Sequence, residues 1–565
     1  MTWGKRRALV IILVIVAVVV VIILASQPAR VPSNSVLLLE IGGEINEQRA
    51  VDLFSAIGGE FIPVQHDFID ALDTAKSDPH IEALVVKIGP LETGWAKLEE
   101  IHSHLLAFRA SGKPSVCYLG GDGIGNLEYY IASACDKIWL VPTAPVSIHG
   151  MMAQAVFLRG MFDKLKIYPD YYHIAEYKTA SNQLTEKKFT PAHREEVDSL
   201  LHGIYNQYLT EVSKARNMDR AEFEKLVNAG PLSADDALAG KLVDRLAYWD
   251  QVQDFAKEKT KDWNPVKLGR YRGRIKNDGS TRIAVVHATG LIVSGESGNA
   301  PGGGAIMGSE TVAADLRRAR EDSSIKAIVL RVDSGGGSAV ASEVIRREVV
   351  LAKAVKPVVV SMSDVAASGG YWIAMSANKI VADPDTITAS IGVLGGKFNV
   401  SGLYEMLGLS TDSIATSDNA TIYSAQQNFT PAQQRLIQKS LQDVYTSFTK
   451  GVAEGRGMSV EAVDKIGKGR VWTGAQGKDL GLVDELGDLN RAVEVAKQLA
   501  KIPADERVRI VRFPEEKTFL QMWIEKRNDD DSARFSSIEA AVERLTGAGA
   551  YNTPQARVPF DLQIR

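Results

Sequence analysis

The 565-residue chain is 45% hydrophobic and 24% charged, with a formal net charge of -4 at pH 7. This is globular composition in a chain too long for one core, and its slight acidity offers no basic surface for nucleic acid. Two cysteines exclude a disulfide framework; Cys117 and Cys135 each lie in an apolar run and are read as buried thiols, a single bridge being the alternative.

Lys5, Arg6 and Arg7 precede an unbroken apolar run over residues 8–25, about the length that crosses a bilayer. Pro28 disturbs the small-residue cleavage site that a removed signal peptide would need, so the run is read as an uncleaved anchor. The basic cluster stays in the cytoplasm. Everything after Ser26 is therefore expected outside, on the periplasmic face of a bacterial inner membrane, after a single pass.

Beyond the anchor the chain repeats itself. Residues 36–45 match 283–292 and residues 78–87 match 322–331, each a strand rich in Val, Ile and Leu. Phe189-Thr190-Pro191-Ala192 returns as Phe429-Thr430-Pro431-Ala432, and Leu242-Val243-Asp244 as Leu482-Val483-Asp484, both 240 residues later (429 − 189, 482 − 242). Each Thr-Pro-Ala opens a helix with Thr as N-cap and Pro at the first helical position, and Gln433 completes a capping box in the second copy. Alternating strands and helices predict a tandem duplication of one α/β domain. The basic stretch between, from Lys257 to Lys276, reads as a solvated linker. The expected units are a basic start and anchor (1–30), a first repeat (31–250), a linker (251–282), a second repeat (283–500) and an extension (501–565).

Comparing the copies shows what each has lost. Tyr129-Tyr130-Ile131-Ala132 lies opposite Tyr371-Trp372-Ile373-Ala374, which puts Asn126 opposite Ser368 in Ala366-Ala367-Ser368-Gly369-Gly370. With the later offset, Lys178 in Glu176-Tyr177-Lys178-Thr179-Ala180 lies opposite Asp418. One copy keeps a serine and the other keeps a lysine. A single Ser-Lys site shared between two degenerate halves leaves this pattern.

A serine hydroxyl needs a base to take its proton. His287 sits on an apolar strand with no acidic partner in view and is read as structural, and no histidine falls in a zinc-binding pattern, so neither a metal nor another cofactor is called for. A Ser368-Lys178 pair is the simplest remaining acyl-transfer site, provided burial brings the lysine from about 10.4 to about 7 or 8. Glu176 would oppose that if its carboxylate approached. Oxyanion donors are expected from Gly369 and from Gly336, in Asp333-Ser334-Gly335-Gly336-Gly337-Ser338 between a strand and a helix over residues 341–354. Neither phosphate-loop spacing occurs there. The first copy reads Ile88-Gly89-Pro90-Leu91 at that place, and its Gly120-Gly121-Asp122-Gly123-Ile124-Gly125 is taken as a loop relic.

The glycine run after Asp333, Ala366-Ala367-Ser368-Gly369-Gly370-Tyr371-Trp372, Ile387-Thr388-Ala389-Ser390-Ile391-Gly392 and a degenerate first copy bearing Lys178 together make the chain resemble the signal peptide peptidase A (protease IV) family in its long duplicated form. The resemblance implies a ClpP/crotonase-type fold, a membrane-anchored homotetramer that encloses its own sites, and cleavage of signal-peptide remnants. It implies Ser368 as nucleophile, Lys178 as general base, Ser390 orienting the lysine, and Gly336 and Gly369 as the oxyanion hole. The family's N-S-P-G-G is Asp333-Ser334-Gly335-Gly336-Gly337 here, which loosens the loop and adds a carboxylate near the site.

Two other readings stay open. One is an acyl-CoA enzyme of the crotonase type, against which the anchor and the outside address count; the other is a non-catalytic membrane scaffold. Beyond the repeats, Phe519, Leu520, Met522, Trp523 and Ile524 suggest an amphipathic helix packed on protein.

Overall fold

The computed structural model describes residues 31–49, 61–300, 304–515, 555–557 and 563–564. The expected anchor over residues 8–25 and the expected helix around Trp523 lie outside them, and among the described residues no helix is long and apolar enough to cross a membrane.

The first repeat runs β1 (Ser35–Gly43), α1 (Gln65–Ser77), β2 (Ile81–Leu91), α2 (Trp95–Arg109), β3 (Ser115–Leu119), α3 (Asn126–Ser133), β4 (Lys137–Leu140), β5 (Tyr168–Ile174), α4 (Pro191–Ala215), β6 (Arg245–Leu246), α5 (Trp249–Thr260) and β7 (Pro265–Lys267). Its parallel sheet has the order β6, β4, β3, β2, β1, β7. The second repeat runs β8 (Thr281–Thr289), β9 (Leu291–Val293), α6 (Ser309–Glu321), β10 (Ile325–Ser334), β11 (Gly336–Ser338), α7 (Ala339–Lys353), β12 (Val358–Ala367), α8 (Gly369–Ala374), β13 (Ile387–Ala389), β14 (Val393–Asn399), α9 (Pro431–Arg456), β15 (Val471–Thr473), α10 (Leu489–Leu499) and β16 (Val508–Phe513). Its main sheet has the order β15, β13, β12, β10, β8, β16.

Both faces of each sheet are covered, and this is why the strands are continuously apolar. Leu37 and Leu39 of β1 face one core while Val36 and Leu38 face another with Val252 and Ala256 of α5. Val286 and Ala284 of β8 face one core while Ile283 and Val285 face another with Ala492 and Val495 of α10. The duplication extends to single bonds: the Tyr129 and Tyr371 hydroxyls donate to the carbonyls of Leu242 and Leu482 at 2.8 and 2.9 Å. Thr190 and Thr430 cap α4 and α9, and Gln433 accepts Thr430 N at 3.1 Å to close the capping box.

The stretch read as a linker is part of the first repeat. α5 covers its sheet as α10 does 240 residues later (489 − 249), and β7 pairs with β1 as β16 pairs with β8. Val252, Ala256 and Thr260, one helical turn apart, are buried while Lys257 and Lys259 face water, so a polar composition concealed a one-sided helix. The second repeat likewise runs past residue 500 to Phe513. Cys117 and Cys135, read as thiols, form a disulfide with Cα atoms 5.7 Å apart. β3 and β4 pair in parallel, which brings the start of β4 and the residue two before it alongside β3, within bridging range.

Two cations buried between the repeats are each gripped by two carboxylates. Arg331 on β10 meets Glu47 and Glu100, each at 2.8 Å, and Lys97 on α2 meets Asp333 at 2.7 Å and Asp364 at 3.1 Å. Removing one member of such a pair costs about 3–5 kcal/mol. β5 also crosses over: it pairs antiparallel with β14 along its whole length, Tyr168 opposite Asn399 and Ile174 opposite Val393.

Candidate active site

Ser368 stands where β12 turns into α8. β12 and β13 pair in parallel, Ala366 opposite Thr388 and Ala367 opposite Ala389, so the next residues, Ser368 and Ser390, come side by side. Ser368 N donates to Ala389 O at 2.7 Å. Ser368 is held at φ 55° and ψ -114°, with Ala389 and Ser390 at φ 65° and 52°. Such conformations cost about 1–3 kcal/mol each and persist where the surroundings over-determine them. The packing here is close enough to do so, since a Cβ on Gly370 would fall 2.4 Å from Ser334 O.

Lys178 arrives from the other repeat within the same chain. Beyond β5, Tyr177 N donates to Lys468 O at 3.0 Å, which fastens the lysine loop beside the segment leading into β15. Two glycines make room for it: a Cβ on Gly469 (φ 82°) would lie 2.4 Å from Lys178 N, and one on Gly392 3.1 Å from Lys178 Cδ. Lys178 is fully buried, with Nζ 2.6 Å from Ser368 Oγ, 3.0 Å from Ser390 Oγ and 3.2 Å from Ser390 O. Ser390 Oγ donates to Gly469 O at 3.2 Å and so accepts from the lysine. A neutral amine has two N–H donors and one lone pair; with both donors engaged by Ser390, the lone pair faces Ser368 Oγ. Burial brings Lys178 from 10.5 down to about 7, opposed by Glu196.

Glu196 of α4 is buried. Its Oε1 accepts Val471 N at 2.7 Å and its Oε2 accepts Thr179 Oγ1 at 3.1 Å, so one carboxyl clasps the lysine loop to β15. Burial pushes Glu196 up to about 8, which leaves little negative charge beside Lys178 at neutral pH. Glu176 is exposed and pairs with Lys468 at 3.4 Å.

Gly369 is the first residue of α8, so its N–H has no acceptor within the helix. Gly336 N–H donates to Ser334 Oγ at 3.1 Å, and that hydroxyl donates to Gly290 O at 2.6 Å. Gly336 is available to a ligand by sharing or releasing that bond. Antiparallel to β11 runs a further strand, β17 (Gln555–Arg557), with Gly336 opposite Arg557 and Ser338 opposite Gln555; its other edge meets Leu394 of β14. An extended segment of the chain thus lies along the glycine strand, next to α8.

Peptidase family S49 is matched by residues 107–262 and again by residues 351–503. The chain is 35% identical over 503 residues to the serine protease SPPA, chloroplastic, of Arabidopsis thaliana, covering 87% of this chain and 73% of that one. It is 33% identical over 570 residues to Protease 4 of Salmonella typhi, covering 94% of this chain and 90% of that one. The chain belongs to peptidase family S49. It is a serine protease carrying two S49 copies in tandem. Among solved structures, ClpP1 from Listeria monocytogenes matches 36% of this chain and 91% of its own at 18% identity, with a TM-score of 0.23 that is too low to bear on the site.

The two S49 copies divide the site. Asn126, in the place of Ser368, donates through Nδ2 to Gly150 O at 2.8 Å. Asp418, in the place of Lys178, is exposed, and its carbonyl accepts Gln433 Nε2 at 2.9 Å. His287 is buried with Nδ1 4.0 Å from Glu47, and burial lowers it to about 4. Sequence reasoning missed Glu196 and Lys97, because a charged helix residue ordinarily faces water. A signal for Glu196 existed: with His193, Val197 and Leu200 it forms a buried stripe at helical spacing.

Proposed function

We propose that this S49 protease is a membrane-anchored endopeptidase of the Ser-Lys type that cuts hydrophobic peptides, signal-peptide remnants among them, on the periplasmic face of a bacterial inner membrane. The observation that carries this reading is the position of Lys178 Nζ, fully buried, 2.6 Å from Ser368 Oγ and 3.0 and 3.2 Å from Ser390 Oγ and O. Neutral Lys178 takes the Ser368 proton as Oγ bonds to the scissile carbonyl carbon. Gly369 N–H, joined by Gly336 N–H as it leaves Ser334 Oγ, receives the oxyanion. The ammonium then gives its proton to the leaving amine as the C–N bond breaks, leaving an acyl ester on Ser368. Water enters in the place of the amine, gives a proton to Lys178 and attacks the ester; collapse releases the carboxylic product and returns the proton to Ser368 Oγ. A peptide aligned as β17 is, antiparallel to β11, runs its backbone along the glycine strand.

The reading includes the ClpP/crotonase-type fold and a homotetramer. Exposed Met406, Leu407, Leu409, Ile414 and Tyr423 in the second repeat are surface that a neighbouring copy would cover. The Cys117–Cys135 disulfide suits an oxidising compartment outside the cytoplasm. The test is hydrolysis of a hydrophobic peptide by the full chain in detergent. Ser368→Ala and Lys178→Ala should each abolish it with the oligomer intact, and substantial activity in either variant sinks the reading.

A further inference from the structure

We propose that Lys97 is a positioning residue of this site: reaching over from the first repeat, it holds the glycine strand and the serine strand of the second in register through Asp333 and Asp364. The inference rests on the Ser368 peptidase reading. Gly335, Gly336 and Gly337 give the loop after β10 no side chain to fix it, and Gly336 and Gly337 stand at φ 97° and 156°. The neighbouring ladder is interrupted at the same place. β10 and β12 pair regularly from Ile328 opposite Val358 to Val332 opposite Met362, then slip so that Ser334 faces Ala366. Such bulges re-aim side chains beside active sites and weaken the local pairing. Asp333 sits in the slip, and its Oδ1 accepts the N–H of Val365 at 3.2 Å, replacing a ladder bond with a side-chain bond.

Lys97 supplies the charge that keeps this carboxylate in place. Its side chain is nine-tenths buried, with Nζ 2.7 Å from Asp333 Oδ2 and 3.1 Å from Asp364 Oδ2. Its backbone N–H, one of the donors left over in the first turn of α2, donates to Asp364 Oδ1 at 3.0 Å. The helix start closes directly on Asp364, since a Cβ on Gly94 would fall 2.2 Å from its Cγ. The positive end of the helix dipole adds to the attraction. Burial opposes the charge on Lys97, yet Asp333 and Asp364 hold the ammonium well above the ordinary lysine value; burial likewise pushes the Asp333 carboxyl up, and the Lys97 ammonium beside it pulls it back toward the charged form. Without Lys97, two carboxylates would repel across the slip, and the force would act on the strands that lead to Gly336 and Ser368. A misplacement of about 1 Å is enough to lower a rate about 100-fold.

The test measures peptide hydrolysis by the full chain, with kcat expressed per site counted by a serine-reactive fluorophosphonate. Asp333→Asn is isosteric, still accepts from Val365 N and removes the Asp333 half of the ionic hold with its hydrogen bond, leaving the Lys97–Asp364 pair; it should lower kcat about ten-fold with KM within about three-fold. Lys97→Met should lower kcat about 100-fold, and Lys97→Arg should recover part of that. The double variant should lose less than the product of the two single losses, because both act on one contact. Amide exchange over residues 330–338 and 363–369, read by mass spectrometry, should quicken about ten-fold in Asp333→Asn with other segments unchanged. Unchanged kcat and unchanged exchange in Asp333→Asn overturn the proposal whether or not Lys97→Met folds. If the parent shows no Ser368-dependent hydrolysis, the peptidase reading is what fails, and the exchange measurement alone decides whether Lys97 holds the strands.

Discussion

The burial of Lys178 makes hydrolysis pH-dependent in a way that can be worked out. With Lys178 near 7, the neutral amine is about 9% of the total at pH 6 and about 91% at pH 8, so kcat/KM should rise about ten-fold across that range and then level off. A lysine at its ordinary value would still be climbing about ten-fold per pH unit above pH 8. Glu196, Ser368 and Ser390 are the polar groups facing the amine; ionisation of Glu196 near 8 favours the ammonium and stretches the upper end of the limb, and Glu196→Gln should shorten it. The same burial bears on stability. Between 7 and 10.5 the unfolded chain binds the proton that the folded chain has released, so stability rises with pH in that window. Below pH 7 folding is opposed by the full difference, about 5 kcal/mol, and the opposition fades toward pH 10.5. Lys178→Met removes it, less about 1 kcal/mol for each of the two or three hydrogen bonds lost. The variant should be inactive yet about 2–3 kcal/mol more stable than the parent near pH 6, with the advantage gone near pH 10. Initial rates from pH 6 to 9 and denaturant unfolding of both proteins at each pH supply the readout. A rate profile with no limb between pH 6 and 8, or a methionine variant no more stable at pH 6 than at pH 10, refutes the reasoning.

Three other perturbations probe separate parts of the structure. Gly469→Ala places a Cβ 2.4 Å from Lys178 N at a φ of 82°; it should cost about 1–3 kcal/mol in denaturant unfolding and lower kcat, and a fully active, equally stable variant would contradict the packing described. Removing residues 516–565 takes away β17, and should lower KM for extended peptides in steady-state kinetics with little change in kcat; an unchanged KM would mean that β17 does not compete with substrate. Replacing Cys117 and Cys135 by serine opens a loop of 18 residues and should cost about 3 kcal/mol of stability while leaving kcat unaltered, because the bridge joins β3 to the residues just before β4, strands that hold neither Lys178 nor Ser368.

The strand and helix order is legible from the chain because both sheets are buried on two faces and so announce themselves as apolar runs such as residues 36–39 and 283–286. α5 is not, since its buried face is three residues wide and the lysines around it dominate any composition window. Ser368 is legible as a candidate because the other copy has Asn126 in its place; on its own flank it is a serine among turn-forming residues. Two backbone facts have no sequence signature at all. Alanine and serine do not advertise the positive φ of Ser368, Ala389 and Ser390, and nothing in Ile387-Thr388-Ala389 states the register that sets Ser390 beside Ser368. The direction of Glu196 depends in the same way on tertiary packing.

A base that is neutral at pH 7 must be kept dry, and the energy opposing that state has to be met by structure elsewhere. In this chain the contributions cross from one repeat to the other. β5 is fixed along β14, Arg331 is shut between Glu47 and Glu100, and Lys97 is shut between Asp333 and Asp364. Gly392 and Gly469 of the second repeat, meanwhile, line the slot that Lys178 of the first enters. A lysine on the same repeat as the serine would have to be buried by that repeat's own fold before any partner arrived. Delivered on the loop that follows β5 of the neighbouring copy, Lys178 is desolvated by the docking itself, so the repeats can each lose half the site while neither has to bury this lysine alone.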